Sequence, residues 1–369
     1  MKFDELPTFL DLKQRILHVT ESLNRGGAEV LLVGSVNALP DEFENVVVYL
    51  QEPSTLKPAL NNVSAVYCLH YKGKKDLVPA ALRLSKIIQK HKIKLVHSHL
   101  YWPTIIARLA VSKKVPLIFS VHSTITDDAF KPNILSKYLE KLTYSKRQTG
   151  VFVSKTALDD YRQHIKATGE NVVLYNFVKN EFYAEDAEWK QASSPNQLKL
   201  VTVGNLRPQK NHLFLIECVR LLADDGVTLD IYGAGHFRSA LELYIAENNI
   251  NNVKLMGSHP HPERVLKHYD IFVYASRYEG FCIAMAEAMA VGLPCVVPGL
   301  KALKEVSGEG QIYYAPEDRE AFLKIMRDLN SKPESLINYS TAAKRKALEY
   351  RCEKYVNELA ALYYQTLKL

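Results

Sequence analysis

Residues 270–298 read DIFVYASRYEGFCIAMAEAMAVGLPCVVP and contain two apolar runs separated by a segment with a helical pattern. The two runs, DIFVYAS (270–276) and PCVVP (294–298), are nearly continuous in apolar residues, as parallel strands covered on both faces should be. Gly280 ends the first run, and the helical pattern starts near Phe281. A strand, a helix and a second strand in this order predict an α/β sheet.

The same alternation recurs along the whole chain. Six runs of strand type occur in the first half: RILHVT (15–20), NVVVYL (45–50), SAVYCL (64–69), IKLVHSH (93–99), PLIFSVHS (116–123) and GVFVS (150–154). The second half adds four more: LKLVTVGN (198–205), TLDIYG (228–233), VKLMG (253–257) and QIYYA (311–315). Because amphipathic segments of helix length lie between these runs, each half predicts a doubly wound, Rossmann-like α/β domain.

A polar, proline-containing segment separates the two halves. We therefore predict a first domain over residues 1–180, a linker over 181–197 and a second domain over 198–349. The five cysteines are scattered, which indicates reduced thiols and no structural zinc site. No apolar run reaches the roughly 18 residues that a membrane span needs. We expect a cytoplasmic protein.

Positive charge is concentrated in the first half. The net charge of +7 divides into +9 for residues 1–180 and −2 for residues 181–369. Lysines alternate with apolar residues at helical spacing in the segments 72–94 and 131–147, and two amphipathic helices with solvated faces are the simplest interpretation. The alternative is peripheral contact with the anionic inner face of a membrane or with an acidic acceptor. No nucleic-acid motif accompanies the charge, so no nucleic-acid partner is predicted.

Two loops that follow strands carry residues suited to phosphate. Gly26 and Gly27 follow the first strand and precede a predicted helix, where glycine lets the backbone approach a ligand and the helix amides suit an anion. A tight turn is the alternative interpretation. Arg207 and Lys210 follow the strand at 198–205, and two cations at this place are typical of diphosphate ligands, although solvated loop charges would also account for them.

The loop and helix after the strand at 270–276 carry two carboxylates. Glu279 precedes the helix, whereas Glu287 lies inside it, about 7 Å further along the axis than Cys282. The backbone amides of Phe281, Cys282 and Ile283 would be unpaired at the helix start. Two acceptors on either side of such amides suit a ligand with hydroxyls at both ends and phosphate in the middle, which is the layout of a sugar nucleotide.

Eight segments in the chain carry a resemblance to a known family: HVTESLNRGGAE, LVHSHL, VHST, VSKTALDDY, VLYNFV, VGNLRPQKN, IYGAGHFR and YEGFCIAMAEAMAVGLPCVVP. The chain resembles a retaining glycosyltransferase of the GT-B fold, in family 4 of the nucleotide-sugar-dependent enzymes, over nearly its whole length. The most specific element is the pair of glutamates with seven residues between them. The resemblance implies two Rossmann-like domains that face each other across a cleft, with residues 350–369 forming a helix that packs back on the first domain.

The resemblance also implies a role for each matching residue. Glu279 would bind hydroxyls of the donor sugar beside its reacting face, and Glu287 would bind the ribose. Lys210 would neutralise the diphosphate. His122, in FSVHST, would reach the sugar from the acceptor side.

Further donor contacts follow from the same motifs. Gly26 and Gly27 match a loop that closes over phosphate and sugar, and Gly280 with the amides of Phe281, Cys282 and Ile283 would complete the donor-binding set. Asn205, also in this set, stands where the family usually has an arginine, and we therefore assign the second phosphate cation to Arg207. Two interpretations of Cys282 are possible: a small residue that lets the diphosphate approach the backbone, or a thiol whose pKa is lowered by the helix end. We favour the first.

The implied reaction needs neither metal nor cofactor. Lys210, Arg207 and the helix amides would stabilise the leaving diphosphate of a UDP- or GDP-sugar without a divalent cation. Attack from the same face as departure would then retain the α configuration. His97 and His99 have the spacing of metal ligands, but no carboxylate or cysteine cluster accompanies them, so no metal site is predicted.

Two other functions remain as alternatives. One is a sugar-nucleotide hydrolase or epimerase on the same fold, and the other is a non-catalytic scaffold or sugar-nucleotide-binding subunit. The presence of both Glu279 and Lys210 favours a transferase. The acceptor would be a hydroxyl of a glycan, a lipid-linked sugar or a small molecule, which fits polysaccharide or glycolipid synthesis.

Overall fold

The computed structural model describes residues 13–183 and 197–368 of the 369-residue chain. These residues form two compact units. The first contains the described residues up to Phe152, then Tyr161–Leu174 and the residues from Val356 onward; the second contains Val153–Asp160 and the described part of Tyr175–Tyr355. Most of the predicted linker, residues 184–196, lies outside the described residues.

The first unit is built on a seven-stranded sheet. Its strands are β1 (Gln14–Thr20), β2 (Phe43–Tyr49), β3 (Ala65–Cys68), β4 (Leu95–His99), β5 (Leu117–Val121), β6 (Thr149–Phe152) and β7 (Asn171–Val173). Their order in the sheet is β3-β2-β1-β4-β5-β6-β7, and every pairing is parallel. The order reverses direction between β1 and β4, which is the switch point where ligands bind in sheets of this type.

Helices cover this sheet because its strands are apolar on both faces. They are α1 (Gly27–Ala38), α2 (Leu77–Lys90), α3 (Tyr101–Ala110) and α4 (Ile134–Thr143), with the end of α5 (Lys155–His164) and most of the last helix, Cys352–Leu367. One core cluster joins β1, β2 and β4 to α2 and α3, and a separate cluster packs β2 against α1. Buried apolar surface on both faces is what stabilises a parallel sheet.

The second unit repeats the plan with six strands. They are β8 (Lys199–Val203), β9 (Thr228–Tyr232), β10 (Val253–Gly257), β11 (Ile271–Val273), β12 (Cys295–Pro298) and β13 (Ile312–Tyr314), in the parallel order β10-β9-β8-β11-β12-β13. Its helices are α6 (His212–Arg220), α7 (Arg238–Glu247), α8 (Pro262–Leu266), α9 (Ile283–Ala290), α10 (Lys301–Ser307), α11 (Arg319–Ser331) and α12 (Leu336–Ala347), and the helix Cys352–Leu367 is α13. The switch point of this sheet lies between β8 and β11.

The prediction of two doubly wound α/β domains is confirmed. All twelve predicted strands are present, with ends shifted by a few residues, but β7 was missed because a three-residue strand gives little periodic signal. The unit boundary also differs from the predicted one: residues 153–160 and 175–180 belong to the second unit, where Phe177 packs on Tyr355. Among the described residues, no helix has the length and apolarity needed to cross a membrane.

Candidate functional site

The loops after β8 and β11 meet because these strands are neighbours in the second sheet. Leu200 pairs with Ile271, so the carboxyl ends of both strands lie at the same edge. Lys210, at the end of the β8 loop, donates from Nζ to Oε1 of Glu279 over 2.5 Å. The side chains are only 18% and 8% exposed, so this ion pair is largely shielded from water. The switch point thus brings together two of the predicted catalytic residues.

Tyr274 completes this cluster and was missed by the sequence analysis. Its hydroxyl donates to the same Oε1 of Glu279 over 3.1 Å, and Lys210 Nζ lies 5.4 Å from the centre of its ring. Burial acts to lower the pKa of Lys210, but the Glu279 carboxylate outweighs it and the pKa is raised. Lys210 therefore remains positively charged at neutral pH.

Helix α9 starts two residues later than predicted. Cys282 precedes it with a left-handed backbone (φ 69°), and the amides of Met285 and Ala286 donate to the Cys282 carbonyl. The backbone amides that precede Met285 have no partner within the helix, and they carry the partial positive charge of its N-terminal end. Burial, aided by the Glu279 charge, raises the pKa of the Cys282 thiol to about 12. This direction is opposite to that of the alternative interpretation, a thiol with a pKa lowered by the helix end.

Glu287 is the fifth of the eight residues of α9, and the pKa of its carboxyl group is unusual. Burial raises the pKa of its carboxyl group to about 8; nearby Lys179 lowers it, and Glu263 raises it further. The group is thus largely protonated at pH 7 and is able both to donate and to accept a hydrogen bond. Such a group suits a polyol such as ribose.

The loop after β8 holds the other predicted phosphate residues and one that was missed. Arg207 is exposed and Asn205 is half-buried on this loop. His212, at the start of α6, is buried, and neither ring nitrogen has a hydrogen-bond partner among the described residues. Burial and the Lys210 charge lower its pKa to about 4, so the ring is neutral. Its position two residues after Lys210 was the available sequence signal.

In the first unit, His122 follows β5 and pairs with His99 at the end of β4. Nε2 of His122 lies 3.2 Å from Nδ1 of His99, and the rings stack with centroids 5.4 Å apart. Burial lowers the pKa of His122 to about 4 and that of His99 well below its usual value. Because both rings are neutral, one must donate and the other accept, so their tautomers are coupled.

His18 extends this pair into a row of buried histidines. Nitrogen atoms of His18, His97 and His99 lie within 4.8 Å of one another, a spacing that fits metal ligands. However, His97 already bonds Tyr363 Oη through Nδ1 (2.6 Å) and Ser120 Oγ through Nε2 (2.7 Å). A metal would have to displace one of these bonds. The donor set therefore fits a hydrogen-bonded core better than a metal site.

The chain is similar to known proteins both in sequence and in structure. Residues 23–182 match the family model for Glycosyltransferase Family 4, and residues 184–346 match that for Glycosyl transferases group 1. The chain belongs to glycosyltransferase family 4. Among structures, it matches Anabaena Alr3699/HepE in complex with UDP and glucose with a TM-score of 0.78 at 17% identity, over 95% of this chain and 100% of that one. This likeness shows the GT-B type of fold.

Two curated relatives extend the comparison. The chain is 23% identical over 350 residues to UDP-Gal:alpha-D-GlcNAc-diphosphoundecaprenol alpha-1,3-galactosyltransferase of Escherichia coli, covering 88% of this chain and 87% of the relative. It is 25% identical over 305 residues to N-acetylgalactosamine-N,N'-diacetylbacillosaminyl-diphospho-undecaprenol 4-alpha-N-acetylgalactosaminyltransferase of Campylobacter jejuni, covering 79% and 82%.

In this glycosyltransferase the predicted glycine loop is less open than expected. Gly27 begins α1, and Gly26 has an ordinary φ of −130° that other residues also adopt. A Cβ on Gly26 would lie 2.4 Å from Oε2 of Glu29, so this carboxylate sits over the start of α1. An anion at that helix end would require Glu29 to move aside.

Proposed function

We propose that this family 4 glycosyltransferase transfers a hexose from a nucleoside diphosphate sugar to an acceptor hydroxyl, with retained α configuration and without a divalent cation. The observation that carries the proposal is the Lys210–Glu279 ion pair beside the start of α9. It combines a shielded cation for a diphosphate with a carboxylate for sugar hydroxyls. Fixed charges in a desolvated site stabilise a leaving anion strongly.

In the proposed step, the acceptor oxygen forms a bond to the anomeric carbon as the bond to the diphosphate oxygen breaks. The leaving phosphate takes the acceptor proton, so no separate base is needed. Lys210, Arg207 and the amides at Phe281, Cys282 and Ile283 would stabilise the departing diphosphate. Glu279 would bind hydroxyls of the donor sugar, and Glu287 would bind the ribose. Neutral His122 would bind a hydroxyl of the reacting sugar.

For the donor, UDP-hexose is the first candidate. HepE was solved with UDP and glucose, and the E. coli relative is named for UDP-Gal. For the acceptor, both relatives are named for sugars linked to diphosphoundecaprenol or diphospho-undecaprenol, which supports a lipid-linked acceptor. Such an acceptor would place the protein in the cytoplasm in peripheral contact with the inner face of the membrane.

The test is a transfer assay with UDP- and GDP-hexoses on a lipid-linked acceptor, in buffer with and without EDTA, followed by NMR of the product. We expect one nucleotide to support transfer, no loss of rate in EDTA, and an α-linked product. A β-linked product would contradict retention, and loss of activity in EDTA would contradict metal independence. Release of free sugar without transfer would favour the hydrolase alternative, and binding without turnover would favour a scaffold.

A further inference from the structure

Helix α4 presents its apolar face outward. Ile134, Leu135, Tyr138 and Leu142 are 68%, 50%, 64% and 80% exposed. At 100° per residue these four side chains occupy one side of the helix. The opposite, inward side carries Ser136 and Glu140, both buried. A helix on the surface of a globular protein normally has the reverse arrangement.

Two neighbouring helices extend this apolar surface. Helix α3 packs against both α2 and α4. Val78 and Leu82, one turn apart on α2, are 62% and 61% exposed, and Leu109 on α3 is 48% exposed. Seven of the twelve large apolar side chains that are exposed in the described parts of the chain lie on these three helices. A concentration of this kind marks an interaction surface.

The charge of the three helices has one sign. Their sequences contain a single acidic residue, Glu140, and it is buried in an ion pair with Arg108 (2.8 Å). Lys86, Lys90 and Lys141 are exposed on the same helices. The surface therefore combines apolar side chains with lysines and carries no exposed carboxylate among the residues of these helices. Each lysine near an anionic bilayer contributes about 1 kcal/mol of attraction.

We propose that the outer surface of α2, α3 and α4, called here the docking face, binds in the plane of an anionic lipid bilayer. The apolar side chains enter the boundary between headgroups and acyl chains, and the lysines contact the headgroups. A second copy of the chain is a poorer partner, because a two-fold interface would bring the lysines of both copies together. The proposal depends on the exposed face alone and not on the transfer reaction.

The experiment is flotation of the full chain with vesicles of phosphatidylcholine mixed with phosphatidylglycerol, and with vesicles of phosphatidylcholine alone. The test variant is Tyr138→Glu with Leu142→Glu. The matched control is Leu243→Glu with Ile337→Glu, which changes two apolar side chains of similar exposure (58% and 48%) in the second unit. All four side chains are exposed, so circular dichroism and the melting temperature should change little.

We expect the natural protein and the control to float with anionic vesicles, and salt to weaken this binding. The test variant should bind at least about tenfold more weakly, since it loses apolar area and adds negative charge. Equal binding of both variants, or no binding of the natural protein, would overturn the proposal. Light scattering that shows a dimer which the test variant alone dissociates would also overturn it, because the face would then be an interface between copies.

Discussion

Lys210 Nζ and Glu279 Oε1 lie 2.5 Å apart although 69 positions separate the residues in the chain. Each neutralises the other in a place where neither is well solvated. In the absence of donor, Glu279 thus keeps the cation charged and fixed in position. In the proposed reaction a diphosphate would share Lys210 with Glu279 and would meet a cation that is already positioned.

Removal of the Lys210 charge should lower both the activity and the stability, and a second substitution should separate the two effects. We expect Lys210→Met to lower kcat/KM by about 10²–10³-fold. It should also destabilise the fold by about 3–5 kcal/mol, because the buried Glu279 carboxylate loses its cation and keeps only the hydrogen bond from Tyr274. The double variant Lys210→Met with Glu279→Gln should recover much of the stability but none of the activity. Steady-state kinetics and urea unfolding measure the two effects.

The matched control is Arg277→Met. Arg277 also pairs with a glutamate, Glu317 (2.8 Å), but both side chains are more than half exposed. An exposed pair contributes about 0–1 kcal/mol. Similar losses in the control and in Lys210→Met would contradict a special role for the buried pair.

The raised pKa of Glu287 predicts a stability that falls with increasing pH. The folded state keeps the proton up to about pH 8, whereas the unfolded carboxyl loses it near its ordinary value of 4.5. Between these values the folded state binds more protons, so the free energy of unfolding decreases as pH rises. Melting temperatures at pH 6.5 and 8.5 should differ in the natural protein and much less in Glu287→Gln. An unchanged difference in the variant would show that another group is responsible.

The buried histidines of the first unit predict the opposite dependence at acid pH. Burial lowers the pKa of His18 and His122 to about 4 and that of His97 and His99 well below 6.5. Their stabilising effect is complete above pH 6.5 and is lost as pH falls from there toward 4, because the unfolded state then binds more protons. Above pH 6.5 the histidines therefore contribute little and Glu287 contributes most strongly, whereas the window below pH 6.5 includes the histidines.

Fluorescence provides a probe for the first unit. The chain has two tryptophans, and Trp102 lies on α3. In a Trp189→Phe background, urea unfolding followed through Trp102 should give a lower midpoint at pH 5 than at pH 7. His99→Gln should reduce this difference, because one buried titrating ring is removed. A midpoint that is independent of pH in the background protein would contradict neutral buried histidines.

The coupling of His99 to His122 predicts an effect on turnover. His99→Phe removes the partner of His122 Nε2, so the tautomer and orientation of that ring are no longer fixed. We expect a fall in kcat of about tenfold, by analogy with the loss of partners that orient catalytic rings. His99→Asn should restore part of the rate, since its amide still offers a hydrogen-bonding group. Nitrogen-15 NMR of the imidazoles would report a single His122 tautomer in the natural protein and a mixture in His99→Phe.

The buried pair of Arg108 and Glu140 predicts a large loss of stability when it is broken. Their side chains are 1% and 2% exposed, and Tyr161 also donates to Glu140. Arg108→Met should cost about 3–5 kcal/mol, and Arg108→Met with Glu140→Leu should recover part of it. The control is Arg83→Met, whose pair with Asp76 is more exposed and should be worth about 0–1 kcal/mol. Chemical denaturation measures all three variants.

The sequence by itself determined the alternation of strands and helices, the duplication of the α/β plan and the loops that carry Lys210, Glu279 and His122. These features depend on local periodicity and on residue types that follow strand ends. The sequence did not show which strands are neighbours. In the second sheet the strand order places β8 beside β11, and this brings Lys210 to Glu279. In the first sheet it places β4 between β1 and β5, and this gathers His18, His97, His99 and His122.

Only the tertiary structure decided burial and the direction in which each helix faces. Helix α4 has the same apolar period whether that face packs inward or points to solvent, and the structure places Glu140 inside and Leu142 outside. The pKa of Glu287 likewise depends on the desolvation of its carboxyl group by neighbours that are distant in the chain. Both properties arise from contacts between remote segments, and local residue patterns contain no record of these contacts.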